Sequence, residues 1–250
     1  MGFETFLVFT AVSSCISWMS IFTFSPVLFT WLSSIYRSLP EDRQRLVDNH
    51  FKTVVHGTFV AALAWYAYTC TEIPPGGVWL DAPLVRFESA VYFGYLISDL
   101  IQTAMYPHVS NIEFVSHHVM SLYSSYIAAS YPAMPYYANV CYMMQLSNPS
   151  AFFRVILEEL GYKGSQYYTW NGVTLIVTCF ISRILVTGIA TVNLAKIMIF
   201  QDTFSRLPLH VSLCYIFGSL LFNIMNYYWF GLICKGAIDY FWGKETKQML

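Results

Sequence analysis

Charge is what this sequence has least of. Lys, Arg, Asp and Glu make up 11% of its 250 residues, where a soluble domain averages about 25%, so a water-soluble fold of this size is excluded. Neither sign prevails, since 13 basic against 14 acidic residues leave a net charge of -1. A chain without a basic excess is not built to neutralise nucleic-acid phosphates. The six cysteines (Cys15, Cys70, Cys141, Cys179, Cys214 and Cys234) show no CxxC or paired spacing. That pattern excludes a disulfide framework and a zinc site. The first 31 residues lack a basic n-region and a small-residue cleavage signal, and their apolar stretch exceeds a signal-peptide core, so they read as a retained membrane helix. Gly2 is followed by Phe6 where myristoylation wants Ser or Thr, and the near-sequon Asn148-Pro149-Ser150 is disqualified by its proline. There is no internal repeat, low-complexity tract or long linker, which leaves one membrane domain.

Apolar surface is what the sequence has in abundance: 56% hydrophobic residues, 18% aromatic, mean hydropathy +0.50. A helix needs about 20 apolar residues to cross a bilayer core of about 30 Å. Seven stretches approach that length: Phe6 to Leu32, Thr53 to Cys70, Phe87 to Tyr106, Phe114 to Tyr131, Tyr136 to Phe153, Tyr168 to Thr191 and Leu207 to Cys234. The fourth and fifth are short and joined only by Pro132 to Pro135, so five or six spans with one re-entrant segment is the alternative. Short cytoplasmic loops collect Lys and Arg. With the N-terminus outside, Arg37, Arg43, Arg45, Lys52, Arg154, Lys163, Lys235, Lys244 and Lys247 fall inside, against Arg86, Lys196 and Arg206 outside. The expected orientation is N-out, C-in.

An ionisable group at bilayer depth costs about 2.5 to 3.5 kcal/mol on insertion scales, so each one is a functional candidate unless a partner neutralises it. In the third span Glu88, Tyr92, Tyr95, Asp99, Thr103 and Tyr106 recur at i, i+4, i+7, i+11 and so share one helix face. That face must look into the bundle, either as a substrate-lining wall or as an interhelical polar seam with Asp99 paired to Arg183. The fourth span opens with His117-His118, whose side chains diverge by about 100° on a helix. His117 is followed at i+4 and i+7 by Ser121 and Ser124, the more polar stripe. His117 is therefore the expected general base or acyl acceptor, with Asp99 the carboxylate that orients it; the structural alternative is a satisfied His pair at a helix end. The seventh span adds Ser219, Asn223 and Asn226 as substrate contacts or helix-packing groups. Candidate substrate-binding residues are Glu88, Tyr95, Ser121, Gln145, Asn148, Arg183 and Asn223. No metal ligand set is expected. One adjacent His pair among six histidines is too few for a di-iron desaturase, and no mid-span lysine in the last helix offers a retinal linkage.

The run Gly94-Tyr95-Leu96-Ile97-Ser98-Asp99-Leu100, His117-His118 eighteen residues after the aspartate, and then Gln145-Leu146-Ser147-Asn148-Pro149 resemble, in that order, the TLC domain of the TRAM-LAG1-CLN8 family. The likeness runs from about Gln44 to Lys235 and is nearest to the short TLC-only proteins. It implies an all-α polytopic membrane protein of about seven transmembrane helices, a six-helix bundle around a lipid-accessible cavity plus one N-terminal helix. The corresponding division is 1–43 (N-terminal helix and first loop), 44–235 (TLC domain) and 236–250 (cytosolic tail). It also implies an endoplasmic reticulum or related membrane, an acyl-lipid ligand, no resident cofactor with acyl-CoA as a co-substrate, and room for a homodimer. The best-understood members, the ceramide synthases, use the His pair and a downstream HD-x-x-D element to move an acyl group onto a sphingoid amine. His117, His118 and Asp99 carry over. The downstream carboxylates do not, because 28 to 31 residues past His117 stand Gln145, Ser147 and Asn148, which hold no charge. This departure argues against ceramide synthesis and leaves two readings: a His-dependent acyltransferase acting on membrane lipid, with Gln145 and Asn148 on the acyl carbonyl, or a non-catalytic lipid sensor, scaffold or cargo-type protein.

Overall fold

The computed structural model describes residues 2–106 and 112–242; Lys244, Lys247 and the end of the predicted tail lie outside them. Among the described residues the chain is helical throughout: α1 (Phe3–Leu32), α2 (Ser34–Ser38), α3 (Glu41–Cys70), α4 (Pro83–Met105), α5 (Ile112–Ser130), α6 (Pro135–Met143), α7 (Asn148–Glu159), α8 (Gln166–Cys179), α9 (Thr187–Phe200), α10 (Thr203–Arg206) and α11 (Leu209–Phe241). A 3-10 turn (Met144–Ser147) joins α6 to α7, and a π-helical segment (Phe180–Val186) joins α8 to α9. Local chemistry sets the boundaries. Proline opens the first turn of α4, α6 and α7, where its missing N–H costs nothing. Ser33 and Ser165 cap α2 and α8 by accepting from the Tyr36 and Tyr168 amides.

Among the described residues three helices are long and apolar enough to cross a membrane: α1, the continuous Gln166–Phe200 rod and α11. Their outer faces carry large apolar side chains such as Phe9, Val27, Ile199, Phe200 and Leu209, as lipid contact demands. Helices α3, α4 and α5 coincide with predicted spans and have the length, but their polar faces bring them below that hydropathy standard. The predicted fifth span is broken by the 3-10 turn at Met144–Ser147 into α6 and α7.

The packing frame follows from two close approaches. Helix α1 crosses α4 at Gly94, where a Cβ would stand 2.2 Å from the Ala11 carbonyl oxygen. Beside that crossing, Ser14 Oγ donates to the Val91 carbonyl at 2.6 Å and accepts from Trp18 Nε1 at 2.8 Å. Helix α3 meets the start of α7 at Gly57, where a Cβ would stand 3.0 Å from Asn148 Cβ. The α3–α4 loop closes one end of the bundle on the α5–α6 connection, with Leu80 N donating to Pro132 O and Met134 N to Val78 O, both at 2.9 Å. At the opposite end of α1, the fully buried Asp48 carboxylate accepts from Ser25 Oγ at 2.8 Å and from Tyr36 OH at 3.0 Å, tying α1, α2 and α3 together. Losing a hydrogen bond to a buried charge costs about 1.5 to 3 kcal/mol. Tyr36→Phe is accordingly expected to lower the melting temperature of the purified protein by several degrees in a thermal unfolding scan.

Candidate functional site

Helix α4 presents its predicted stripe to the interior: Glu88, Tyr92, Tyr95 and Asp99 are all buried. Toward the end of the helix the buried position is Gln102, while Thr103 and Tyr106 are half-buried. The stripe drifts there because an i, i+4 repeat rotates away from one line on a 3.6-residue helix.

Asp99 is the centre of a charged array. Lys52 Nζ donates to its Oδ1 at 2.5 Å and to Gln102 Oε1 at 2.6 Å. His118 Nε2 stands 2.7 Å from its Oδ2. Lys52, Asp99 and His118 are all buried. Below them His56 lies flat on Tyr95, centroids 3.5 Å apart and planes at 8°, with the Trp18 edge 5.0 Å away. Tyr95 shares a hydroxyl hydrogen bond with Thr53 at 3.1 Å. These aromatic contacts fix the floor on which Lys52 and Asp99 rest.

Two expectations are corrected here. Asp99 pairs with Lys52 and His118, and not with Arg183. The imidazole it holds is that of His118, and not that of His117. The reason is the direction of α5: its buried side carries His118, Ser121 and Ser125 at i, i+3, i+7, and this side faces α4. His117, turned about 100° away, faces α11, with its ring 5.5 Å from Phe222 and 5.6 Å from Trp229. Its Nδ1 is buried with no hydrogen-bond partner among the described residues.

Arg183, in the π-helical segment, forms a second centre. Its Nε donates to Ser147 Oγ at 2.7 Å, Nη2 to Asn148 Oδ1 at 2.6 Å and Nη1 to Asn226 Oδ1 at 3.1 Å. The guanidinium also sits 5.7 Å from the Trp229 ring, so one indole adjoins both Arg183 and His117. Asn148 donates to Gln145 Oε1, and Gln145 Nε2 donates to Tyr92 OH at 3.1 Å. The chain Tyr92–Gln145–Asn148–Arg183–Asn226 thus runs from the α4 stripe to α11.

The remaining candidates fall elsewhere. Asn223 donates to Thr191 Oγ1 and to the Ser219 carbonyl, a helix–helix bridge; the amide of α11 that joins the Arg183 network is Asn226. Ser121 is buried on the His118 side, where its carbonyl accepts from Ser125. Glu88 is fully buried with neither oxygen hydrogen-bonded among the described residues, and eleven residues along α4 put it about 16 Å from Asp99. Among the described residues no three His, Cys, Asp or Glu side chains converge as metal ligands.

Sequence reasoning missed Lys52 as a site residue by counting it with the loop charges before Thr53. The signal was present: Asp48, Lys52 and His56 repeat at i, i+4, i+8, and all three are buried on one face of α3.

Apolar outward faces around buried ionised and amide groups define the class: an integral membrane protein built as a polar-cored helical bundle. The TLC domain model matches residues 46–235, and the chain belongs to the TLC domain family. It is similar to TLC domain-containing protein 4-B of Xenopus laevis, 30% identical over 254 residues covering 98% of this chain and 95% of that protein. It is also similar to TLC domain-containing protein 4-B of Danio rerio, 28% identical over 246 residues covering 96% and 89%. To human TLC domain-containing protein 4 it is 26% identical over 230 residues covering 88% and 87%. No solved structure matches it.

Proposed function

We propose that the bundle binds an acyl lipid beside His117 and alters membrane lipid composition by acyl transfer. The observation that carries this reading is the pair of imidazoles in different states of engagement. His118 is held by Asp99 at 2.7 Å, whereas the adjacent His117 keeps a buried Nδ1 that is unpartnered among the described residues. His117 and Trp229 are half-buried, and exposed Val119, Ile224 and Tyr228 lie near them in sequence on the same two helices. Such an edge is one that a hydrocarbon tail reaches from the bilayer.

In the transfer, an acceptor amine or hydroxyl attacks the thioester carbonyl of acyl-CoA. His117 takes the proton from the acceptor, the C–S bond breaks and the departing thiolate receives that proton. Gln145 and Asn148 each keep a second amide N–H for the carbonyl oxygen as it becomes negative. His118, Asp99 and Lys52 act as positioning groups. The likeness to the TLC family implies an endoplasmic reticulum or related membrane, the Lys and Arg distribution favours a lumenal N-terminus and a cytosolic C-terminus, and residues 44–235 are the TLC unit.

The test is turnover by purified protein given acyl-CoA with amine or lysolipid acceptors. Wild type is expected to transfer the acyl group, and His117→Ala to lose about two orders of magnitude or more while melting within a few degrees of wild type, since its ring makes only aromatic contacts. Unchanged turnover in His117→Ala removes the catalytic role.

A second reading, a non-catalytic lipid sensor or scaffold, has its own support. Gln145 and Asn148 are already bonded to each other, to Tyr92 and to Arg183, as groups that serve helix packing would be. No transfer by wild type with any acceptor, together with lipid binding, selects this reading.

A further inference from the structure

We infer that the head of the lipid held here is anionic, a carboxylate or phosphate seated on Arg183. The inference rests on the acyl-lipid reading above and assigns the charge of its ligand.

The two buried cations among the described residues, Lys52 and Arg86, have carboxylate partners, whereas Arg183 is half-buried in mid-helix. Lys52 has Asp99, and Arg86 has Glu4 at 2.6 Å and Asp81 at 3.5 Å. Among the described residues Arg183 makes no ion pair; its three hydrogen bonds all go to neutral oxygens of Ser147, Asn148 and Asn226. A charge withdrawn from water is costly unless an opposite charge meets it. Hydrogen bonds to amides hold the guanidinium in place and leave its charge uncompensated.

The donor count agrees. A guanidinium has five N–H groups; Nε spends its one on Ser147, and Nη1 and Nη2 each spend one of two. Two N–H groups remain, one on each terminal nitrogen, as donors for the oxygens of a carboxylate or phosphate. The surroundings supply the rest of a head-group seat. The Trp229 ring lies 5.7 Å from the guanidinium and 5.6 Å from the His117 ring, so one indole borders both the seat on Arg183 and His117. Phe180 and Ile181, in the same π-helical segment, are exposed, offering an apolar surface for the tail.

The experiment is a thermal unfolding series on the detergent-purified full chain with three probes of one tail and different heads: oleate, oleoyl lysophosphatidate and oleyl alcohol. A ligand that binds only the folded state raises the melting temperature by roughly 5–10 °C at a hundredfold excess over Kd. We expect that rise with oleate, with oleoyl lysophosphatidate or with both, little with oleyl alcohol, and its loss in Arg183→Gln. A rise with oleate alone assigns a carboxylate, and a rise with lysophosphatidate alone a phosphate. Equal rises with all three probes leave the acyl-lipid reading standing and overturn the anionic head. No rise with any probe overturns the acyl-lipid reading itself. An anion-specific rise that persists unchanged in Arg183→Gln overturns the seat on Arg183. Should that variant not fold, the wild-type series still decides the charge of the head.

Discussion

Gly94→Ala is expected to cost about 3 kcal/mol or more, seen as a fall of roughly 6–12 °C in the melting temperature of the detergent-purified protein. The added methyl would stand 2.2 Å from the Ala11 carbonyl oxygen, 2.8 Å from Ser14 Cβ and 2.9 Å from the Cys15 nitrogen. Two of those three atoms are backbone, so no rotamer change relieves the overlap and α1 must move off α4. That movement also breaks the Ser14–Val91 hydrogen bond and withdraws the Trp18 edge from His56 and Tyr95. The site floor is thus coupled to the crossing, and lipid binding is expected to fall with stability. Gly231→Ala on α11, where a Cβ meets nothing within 4 Å, is the control, expected to leave the melting temperature unchanged or slightly higher because alanine is the better helix former.

The same glycine shows how far the sequence could be read. Gly94 stood in the sequence only as part of the TLC-like run, with no sign of its contact, whereas Tyr92, Tyr95 and Asp99 stand out because polar residues at fixed helical spacing in an apolar run admit few explanations, and the inward turn of Glu88 through Asp99 followed from period alone. Pairing did not follow. A span drawn from Thr53 cuts α3 at its most informative point, because the helix begins at Glu41 and buries Lys52 three turns in. Hydropathy averages over all faces of a helix and so ignores a buried cation lying among loop charges. Which imidazole Asp99 holds was hidden for a related reason: serines mark a polar stripe, but which neighbour the stripe faces depends on the rotation of α5 in the bundle. Arg183 was visible as a charge within a span, whereas its three neutral acceptors come from the Met144–Ser147 turn, α7 and α11 and needed the fold.

Breaking the buried array at Asp99 is the other large effect expected. Asp99→Leu leaves Lys52 Nζ, at 0% side-chain exposure, with Gln102 Oε1 as its remaining acceptor among the described residues and takes the carboxylate away from His118 Nε2. Removing one partner of a buried pair costs about 3 to 5 kcal/mol because an uncompensated charge stays behind, so the melting temperature is expected to fall by roughly 6–20 °C. Lys52→Met, which leaves the carboxylate with His118 at 2.7 Å, is expected to cost less, since one donor remains. The double variant Lys52→Met/Asp99→Leu removes the stranded charge and is expected to recover about 2 kcal/mol relative to the sum of the single losses. Additive losses would show that Lys52 and Asp99 do not interact across α3 and α4. The double variant also separates the two functional readings. A bundle restored in stability but devoid of acyl transfer places the array in the chemistry through His118, whereas a non-catalytic bundle restored in stability should bind lipid as wild type does.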